Sequence, residues 1–362
     1  MYDIILSFIT AFGITYLAIP SVIKIANVKH LIDVPSDRAA HTEPTPSLGG
    51  IAIFAGAVFA ITMWTPFEYF AGLQYILCGM MVIFLVGAKD DILPMSPKRK
   101  LSGQMVAALI LVLKADVIIT SFYGLFGVYE LPYWISILFS VFVIVLIINA
   151  FNLIDGINGL AASLGILISL IFGTWFFLIE RVELAMVAFV LTGALVAFLK
   201  YNLTPADIFM GDTGSMMVGF VCAILAINFL ESHNGYFIEK LLEKPYLEIY
   251  KMKAVPAIAV GILIIPLFDT IRVFATRILR GGSPFLPDKR HIHHLLLDMG
   301  FSHTKSTVIL VIVNIIFVLA AYFLQGFGTF LLMVVIVGLA SLLSSVLYFQ
   351  VRKRKNRLKS DA

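Results

Sequence analysis

Two adjacent carboxylates, Asp90 and Asp91, follow a long apolar stretch, and three basic residues lie at 98–100. Adjacent carboxylates repel each other, so both stay ionised only beside a cation, a metal ion or a base. Such a pair can hold Mg²⁺ or accept a proton. An ordinary acidic helix end is the alternative, and we favour a role in chemistry.

Polar side chains, three amides and one carboxylate, interrupt a second apolar stretch at intervals of three residues, at Asn149, Asn152, Asp155 and Asn158. This spacing places them along one winding stripe if the helix continues. Glycines at 156 and 159 are expected to break the helix and let a ligand approach the backbone. Amides and a carboxylate facing lipid would be very unfavourable, so the stripe is predicted to face a cavity or other helices.

A third polar segment contains Asn202, Phe209 and Asp212, with Thr213 and Ser215 beside the acid. At a helix start these residues offer hard oxygen ligands and free N–H groups, which suit Mg²⁺ carrying a diphosphate. Thr213 or Ser215 could instead serve only as a helix cap.

Two further segments carry basic and imidazole groups. Guanidinium groups match phosphate oxygens, and histidines can donate hydrogen bonds to them. The candidates in one segment, together with the acid Asp269, are Arg272, Arg277, Arg280, His291, His293 and His294. Asp269 with Arg272 could also be a simple ion pair, and a zinc site at the histidines ranks below phosphate binding. The turn-rich segment 33–50, with Arg38 and His41, is either a substrate contact or a solvated connector.

The composition decides the class of protein. Of 362 residues, 60% are apolar and only 13% are charged, which indicates an integral membrane protein. Cys78 and Cys222 lie in apolar runs and predict no disulfide framework. The chain has no Gly-x-x-x-x-Gly-Lys-Ser/Thr loop for ATP and no Gly-x-Gly-x-x-Gly dinucleotide motif.

We predict an all-α polytopic fold with a single transmembrane catalytic domain at 1–350 and a basic cytoplasmic tail at 351–362. Apolar stretches of sufficient length predict about eleven spans, at Ile4–Ile23, Leu48–Trp64, Leu73–Lys89, Leu101–Ile119, Tyr133–Phe151, Leu160–Ile179, Leu184–Leu199, Ser215–Leu230, Ala254–Arg272, Ser306–Leu324 and Thr329–Gln350. Lys and Arg divide 20 to 6 between the two sides, which places the N-terminus outside and the C-terminus in the cytoplasm. All the polar clusters then reach the cytoplasmic face, where we place the active site.

These residue types together suggest a phosphorylated, nucleotide-linked substrate and a lipid acceptor. Phosphoryl transfer depends on positioning and charge neutralisation, and exchange of one diphosphate bond for another needs no ATP.

Four ordered motifs resemble the signatures of the polyprenyl-phosphate N-acetylhexosamine-1-phosphate transferases of glycosyl transferase family 4, namely Asp90-Asp91, Asn149–Leu160, Phe209–Ser215 and Ser283–His294. Within that group, the His-Ile-His-His string is similar to the GlcNAc-1-phosphate transferase branch that starts O-antigen, enterobacterial common antigen or teichoic acid synthesis. The resemblance implies a bacterial inner-membrane enzyme that transfers HexNAc-1-phosphate from a UDP-sugar to undecaprenyl phosphate and releases UMP. Mg²⁺ would be the cofactor, with Mn²⁺ as a substitute. The partners would be these two substrates and membrane lipid, the enzyme would form a homodimer, and no nucleic acid is expected.

By matching motif positions, the resemblance also implies roles for residues. Asp212 and Asp90 would hold the metal, and Asp90, Asp91 and Asp155 would be catalytic. The substrate would be bound by Lys100, Asn149, Asn152, Asn158, Asn202, Phe209, Arg272, Arg280, His291, His293 and His294.

Two alternatives stay open at this stage. One is phospho-N-acetylmuramoyl-pentapeptide transferase, whose usual third consecutive histidine is replaced here by Leu295. The other is a carrier for phosphorylated lipid or sugar, which we rank lower because the polar groups gather at one face and no internal repeat is evident.

Overall fold

A computed structural model describes residues 2–33, 44–233, 239, 243–279, 281 and 290–360. Within these ranges the protein is almost entirely helical, with one two-stranded antiparallel pairing and an isolated bridge between Ser121 and Glu130. Its helices are α1 (Tyr2–Val28), α2 (Gly49–Trp64), α3 (Phe70–Ile92), α4 (Pro97–Lys114), α5 (Tyr133–Ile154), α6 (Leu160–Leu178), α7 (Val182–Asn202), α8 (Gly211–Ser232), α9 (Val255–Ile262), α10 (Ile264–Leu279), α11 (Ile292–Asp298), α12 (His303–Phe323) and α13 (Thr329–Ser360). Strands β1 (Ile32–Asp33) and β2 (Thr45–Pro46) pair with Ile32 opposite Pro46.

A helix lies at each of the eleven stretches that the sequence predicted to span the membrane, which confirms a polytopic membrane fold. In the described part of the chain, eight helices are long and apolar enough to cross a bilayer, and a ninth crossing is formed if α9 and α10 act together. Helix α2 has only 16 residues, and the first turn of α4 is basic. The count of eleven therefore stays a prediction.

The ninth predicted span is not one straight helix. α9 and α10 meet at Leu263 and are bent by 83° relative to each other. At the other end of the chain, the predicted last span and most of the basic tail form one continuous helix, α13, of 32 residues.

Helix α8 is the centre of the bundle. Nearly nine-tenths of the most apolar 18-residue stretch of α8 is buried within the protein, whereas about a fifth of the corresponding stretch of α13 is buried. α8 packs against α2, α3, α5 and α6. Its first turn therefore lies among the ends of several helices, and this is where the polar residues gather.

Candidate active site

Four side chains from three neighbouring helices and the basic start of α4 form one hydrogen-bonded cluster, which we call the charged centre: Asp90 (α3), Lys100 (α4), Asn152 (α5) and Asp212 (α8). The Lys100 ammonium forms an ion pair with Asp212 and lies 3.3 Å from Asp90 Oδ2. It also donates to Asn152 Oδ1 at 3.2 Å, while Asn152 Nδ2 donates to Asp212 Oδ1 at 2.6 Å. Residues separated by more than a hundred positions thus surround one ammonium group.

The second acid of the pair has a different set of contacts. Asp91 Oδ1 accepts a hydrogen bond from the Asp212 N–H at 2.7 Å. Asp91 Oδ2 accepts from the N–H and the hydroxyl of Thr213, at 3.0 and 2.5 Å. Because the first N–H groups of a helix have no partner within the helix, Asp91 acts as a cap for α8 that is supplied by α3. Thr213 donates to this cap and does not cap the helix itself.

Glycines allow the backbones around Asp212 to approach closely. Gly211 has φ of +70°, a conformation that side chains disfavour, and it starts α8 immediately before Asp212. A Cβ on Gly50 would collide with the backbone of Gly214. The N–H groups of Gly49 and Gly50 donate to the carbonyls of Phe209 and Met210, so the start of α2 is bonded to the segment that precedes α8.

A layer of amides lies one helical turn from the charged centre. Gln104 follows Lys100 by four residues, and Asn149 precedes Asn152 by three. Asn149 Nδ2 donates to Gln104 Oε1 at 2.7 Å and to the Val145 carbonyl at 2.8 Å. Gln104 is fully buried, and its Nε2 lies 3.2 Å from the Met216 sulfur. The sequence motifs did not single out Gln104, although a glutamine within an otherwise apolar span was a signal for it.

Asp155 and the histidine segment meet beyond the end of α5, where the helix ends as the glycines predicted. The half-buried Asp155 directly follows α5, and the His293 ring packs against Gly156. Burial, and then the nearby carboxylates of Asp212 and Asp91, raise the pKa of Asp155 well above its ordinary value. Burial, and then His294, lower the pKa of His293 to about 3, so this imidazole is neutral near pH 7.

One acid, one arginine and two histidines form what we call the imidazole cluster: Asp269, Arg272, His291 and His293. Asp269 Oδ1 accepts from Arg272 Nη2 at 2.7 Å, and Asp269 Oδ2 is 2.9 Å from His291 Nδ1. The rings of His291 and His293 are stacked with centroids 5.7 Å apart. The predicted ion pair of Asp269 and Arg272 is therefore present, and it also holds His291 next to the ring that contacts Gly156.

Several predicted substrate residues bond to the protein itself. Asn202 accepts from the Gly159 N–H at 2.8 Å and donates to the Ile208 carbonyl at 2.9 Å. Asn158 donates to the Thr204 hydroxyl at 3.2 Å. Phe209 is half-buried, and its N–H donates to the Pro46 carbonyl at 2.7 Å. Asn202 therefore orders the loops around the site, and substrate contacts of Asn158 and Phe209 stay predictions.

Some predicted positions cannot be compared with the structure. Arg280, Arg38, His41 and the 283–289 part of the fourth motif lie outside the described residues.

The charged centre offers oxygen donors of the kind that Mg²⁺ prefers. Asp90, Asn152 and Asp212 direct carboxylate and amide oxygens at one cation, the Lys100 ammonium, and hard oxygen donors are the ligands that Mg²⁺ prefers. No group of three or more His, Cys, Asp or Glu side chains that could hold a metal is present in the described ranges. Two carboxylates together with phosphate oxygens and water would suit Mg²⁺.

Comparison with known proteins agrees with this geometry. The family model for glycosyl transferase family 4 matches residues 73–230, which include the whole charged centre. A probable undecaprenyl-phosphate N-acetylglucosaminyl 1-phosphate transferase from Bacillus subtilis is 32% identical over 90% of this chain and 86% of its own length. The chain belongs to glycosyl transferase family 4.

Other family members are similar over most of their length. A decaprenyl-phosphate N-acetylglucosaminephosphotransferase from Mycobacterium leprae is 32% identical, covering 83% of this chain and 79% of the relative. An undecaprenyl-phosphate alpha-N-acetylglucosaminyl 1-phosphate transferase from Salmonella typhi is 31% identical, covering 84% and 77%. The imidazole cluster lies outside the range matched by the family model, so its place in the site follows from the contacts described above.

Proposed function

We propose that this family member transfers N-acetylglucosamine-1-phosphate from UDP-N-acetylglucosamine to undecaprenyl phosphate. The products are UMP and undecaprenyl-diphospho-N-acetylglucosamine, the first lipid-linked intermediate of a cell-envelope glycan. The names of the relatives support the sugar phosphate and the polyprenyl acceptor.

The observation that carries the proposal is the charged centre. One ammonium group, two carboxylates and an amide are brought together at the end of a bundle whose interior is mostly apolar. Polar groups at such a position are costly, so their gathering at one place points to a functional site. The ammonium and the amide can donate to phosphate oxygens, and the two carboxylates can hold a cation that would neutralise a diphosphate.

In the proposed reaction, an oxygen of the lipid phosphate attacks the phosphorus that carries the sugar. A new P–O bond forms, the bond from this phosphorus to the bridging oxygen breaks, and UMP leaves with that oxygen. One diphosphate linkage replaces another, so no further source of energy is required. Lys100 donates to phosphate oxygens, Asp90 orients the lipid phosphate and accepts its proton, and Asp91 holds Asp212 in place.

Mg²⁺ is proposed as the cofactor, with Mn²⁺ as a substitute, and Asp212 and Asp90 would hold it. When bound, the cation would neutralise charge on the diphosphate. The fit of the oxygen donors supports this proposal.

The position of the basic residues supports an active site at the cytoplasmic face of the bacterial inner membrane. Lys355, in the basic end of α13, donates to Asp298 at 2.7 Å, and Asp298 ends the helix that starts next to His291. The basic tail and the imidazole cluster are thus at the same end of the bundle, and cytoplasmic ends retain Lys and Arg. Eleven spans and a homodimer complete the proposed architecture.

Purified protein in lipid nanodiscs, supplied with UDP-N-acetylglucosamine, Mg²⁺ and undecaprenyl phosphate, tests the function. We expect UMP release that requires all three, and a lipid product whose mass shows an added N-acetylglucosamine-1-phosphate. UDP-N-acetylmuramoyl-pentapeptide as the donor tests the peptidoglycan reaction. A folded protein that releases no UMP with either donor but moves phosphorylated lipid between leaflets would support the carrier instead.

We further propose direct attack by the lipid phosphate, because this phosphate is already a competent nucleophile. With ³²P in the transferred phosphate, no label should remain on the denatured protein when lipid is omitted. Covalently labelled protein under these conditions would show that an aspartate acts as the nucleophile.

A further inference from the structure

The bend between α9 and α10 has an identifiable cause. Pro266 has no N–H, so it cannot donate to the carbonyl of Ile262, four residues before it, as a residue within a helix normally does. α9 ends at Ile262, and α10 begins at Ile264. The break therefore leaves backbone groups without helical partners inside an apolar part of the bundle.

Asn314, from the middle of α12, supplies partners on both sides of this break. Its Nδ2 donates to the Ile262 carbonyl at 3.0 Å, and its Oδ1 accepts from the Ile265 N–H at 3.3 Å. Asn314 is fully buried. An unpaired backbone group in such surroundings costs several kcal/mol, so the amide replaces the hydrogen bonds that the bend removes.

The direction of α10 decides where part of the site lies. α10 carries Asp269 and Arg272, and Asp269 in turn bonds His291 and the N–H of Ile292. Arg272 also bonds the carbonyl of Arg290. The segment that brings the His293 ring against Gly156 is thus attached to α10.

We infer that Asn314 is a positioning residue, which by bonding both sides of the break fixes the direction of α10 and places Arg272 and His291 at the active site. The inference deepens the proposed function, on which its effect on turnover rests. Its effect on the direction of α10 can be measured without any substrate.

The test compares Asn314→Leu with Asn228→Leu. Both replace an amide by an apolar side chain of similar size, but Asn228 bonds the Ile224 carbonyl of its own helix and bridges no break in a helix. Misplacement of binding groups by about 1 Å can reduce turnover on the order of 100-fold. We expect a loss of this size in UMP release for Asn314→Leu, and little change for Asn228→Leu.

A distance between spin labels reports the direction of α10 directly. Labels are placed at Ile278→Cys in α10 and Ser102→Cys in α4, two exposed positions, in a Cys78→Ser background that removes the exposed native thiol. Asn314→Leu should shift or broaden the distance distribution, whereas Asn228→Leu should leave it as in the parent protein. An unchanged distribution in Asn314→Leu would overturn the inference, and so would an altered distribution with full turnover.

Pro266→Ala/Asn314→Leu covers the case in which Asn314→Leu does not fold. The alanine N–H can donate to the Ile262 carbonyl, so the backbone is satisfied by a straighter helix. We expect a folded protein with an altered label distance and low turnover, and parental distance and turnover would overturn the inference. If the parent itself releases no UMP, the proposed function fails, while the label distances still decide whether Asn314 directs α10.

Discussion

Asp91→Asn tests whether the two acids of the pair have separate roles. The carboxylate of Asp91 accepts three hydrogen bonds from the start of α8, two of them from Thr213. An asparagine can keep its oxygen towards the Asp212 N–H, but its NH₂ group then faces the donors of Thr213. Hydrogen bonds to a charged group contribute about 1.5–3 kcal/mol each, so we expect the free energy of unfolding to fall by about 3 kcal/mol.

The assay is equilibrium unfolding of the detergent-solubilised protein together with UMP release. Asp207→Asn, an exposed acid in the segment before α8, is the matched control and should unfold as the parent does. Thr213→Val removes one donor to Asp91 without changing size, and a double-mutant cycle with Asp91→Asn should give a coupling energy of about 1–3 kcal/mol. Asp212→Asn should lose turnover while the protein stays folded.

If Asp91→Asn unfolds like the Asp207→Asn control and yet releases no UMP, Asp91 takes part in the chemistry itself. If Asp212→Asn retains turnover across a Mg²⁺ titration, Asp212 has no role in holding the metal.

Three further predictions concern other parts of the site. Lys100→Met should reduce UMP release at least about 100-fold, because the positive charge positioned at the reacting phosphate is lost. Lys100→Arg keeps a positive charge and should retain more of the activity. Equal turnover of the parent protein and both variants would contradict this role. The pKa of His293 is lowered from 6.5 to about 3, so the unfolded chain binds the proton more tightly than the folded protein does. The free energy of unfolding should therefore fall as the pH is lowered from 6.5 towards 3, by up to about 1.4 kcal/mol per pH unit. His293→Gln should flatten this dependence of the unfolding temperature on pH, and an unchanged slope would argue against a buried neutral imidazole. Gly50→Ala should cost about 1–3 kcal/mol because the added methyl meets the Gly214 backbone, whereas Gly72→Ala, whose methyl meets nothing within 4 Å, should not.

The positions of the helices could be predicted from the sequence, because apolar stretches of membrane-spanning length are a direct signal. The bend between α9 and α10 was not predicted, because residues 254–268 carry no charged side chain and the pattern indicated one span. Two residues together were signals for the bend. Pro266 lies within that predicted span, and Asn314 is a polar residue in the middle of the predicted span Ser306–Leu324.

The composition of the charged centre was also predictable, because acids and amides are rare in so apolar a chain. Its internal arrangement was not. Asp91 bonds residues 121 and 122 positions away, and Gln104 bonds Asn149, 45 positions away. A single sequence does not show such pairings, nor that the Asn149 amide bonds Gln104 and its own helix; a substrate contact of Asn149 stays a prediction.

The proposed function places the diphosphate of the donor at the charged centre. A structure of the protein with UDP-N-acetylglucosamine and Mg²⁺ should show the diphosphate at the charged centre, within hydrogen-bonding distance of Lys100 and with the metal ion on Asp212. A diphosphate bound elsewhere, with Lys100 still paired with Asp212 and Asp90, would contradict the account.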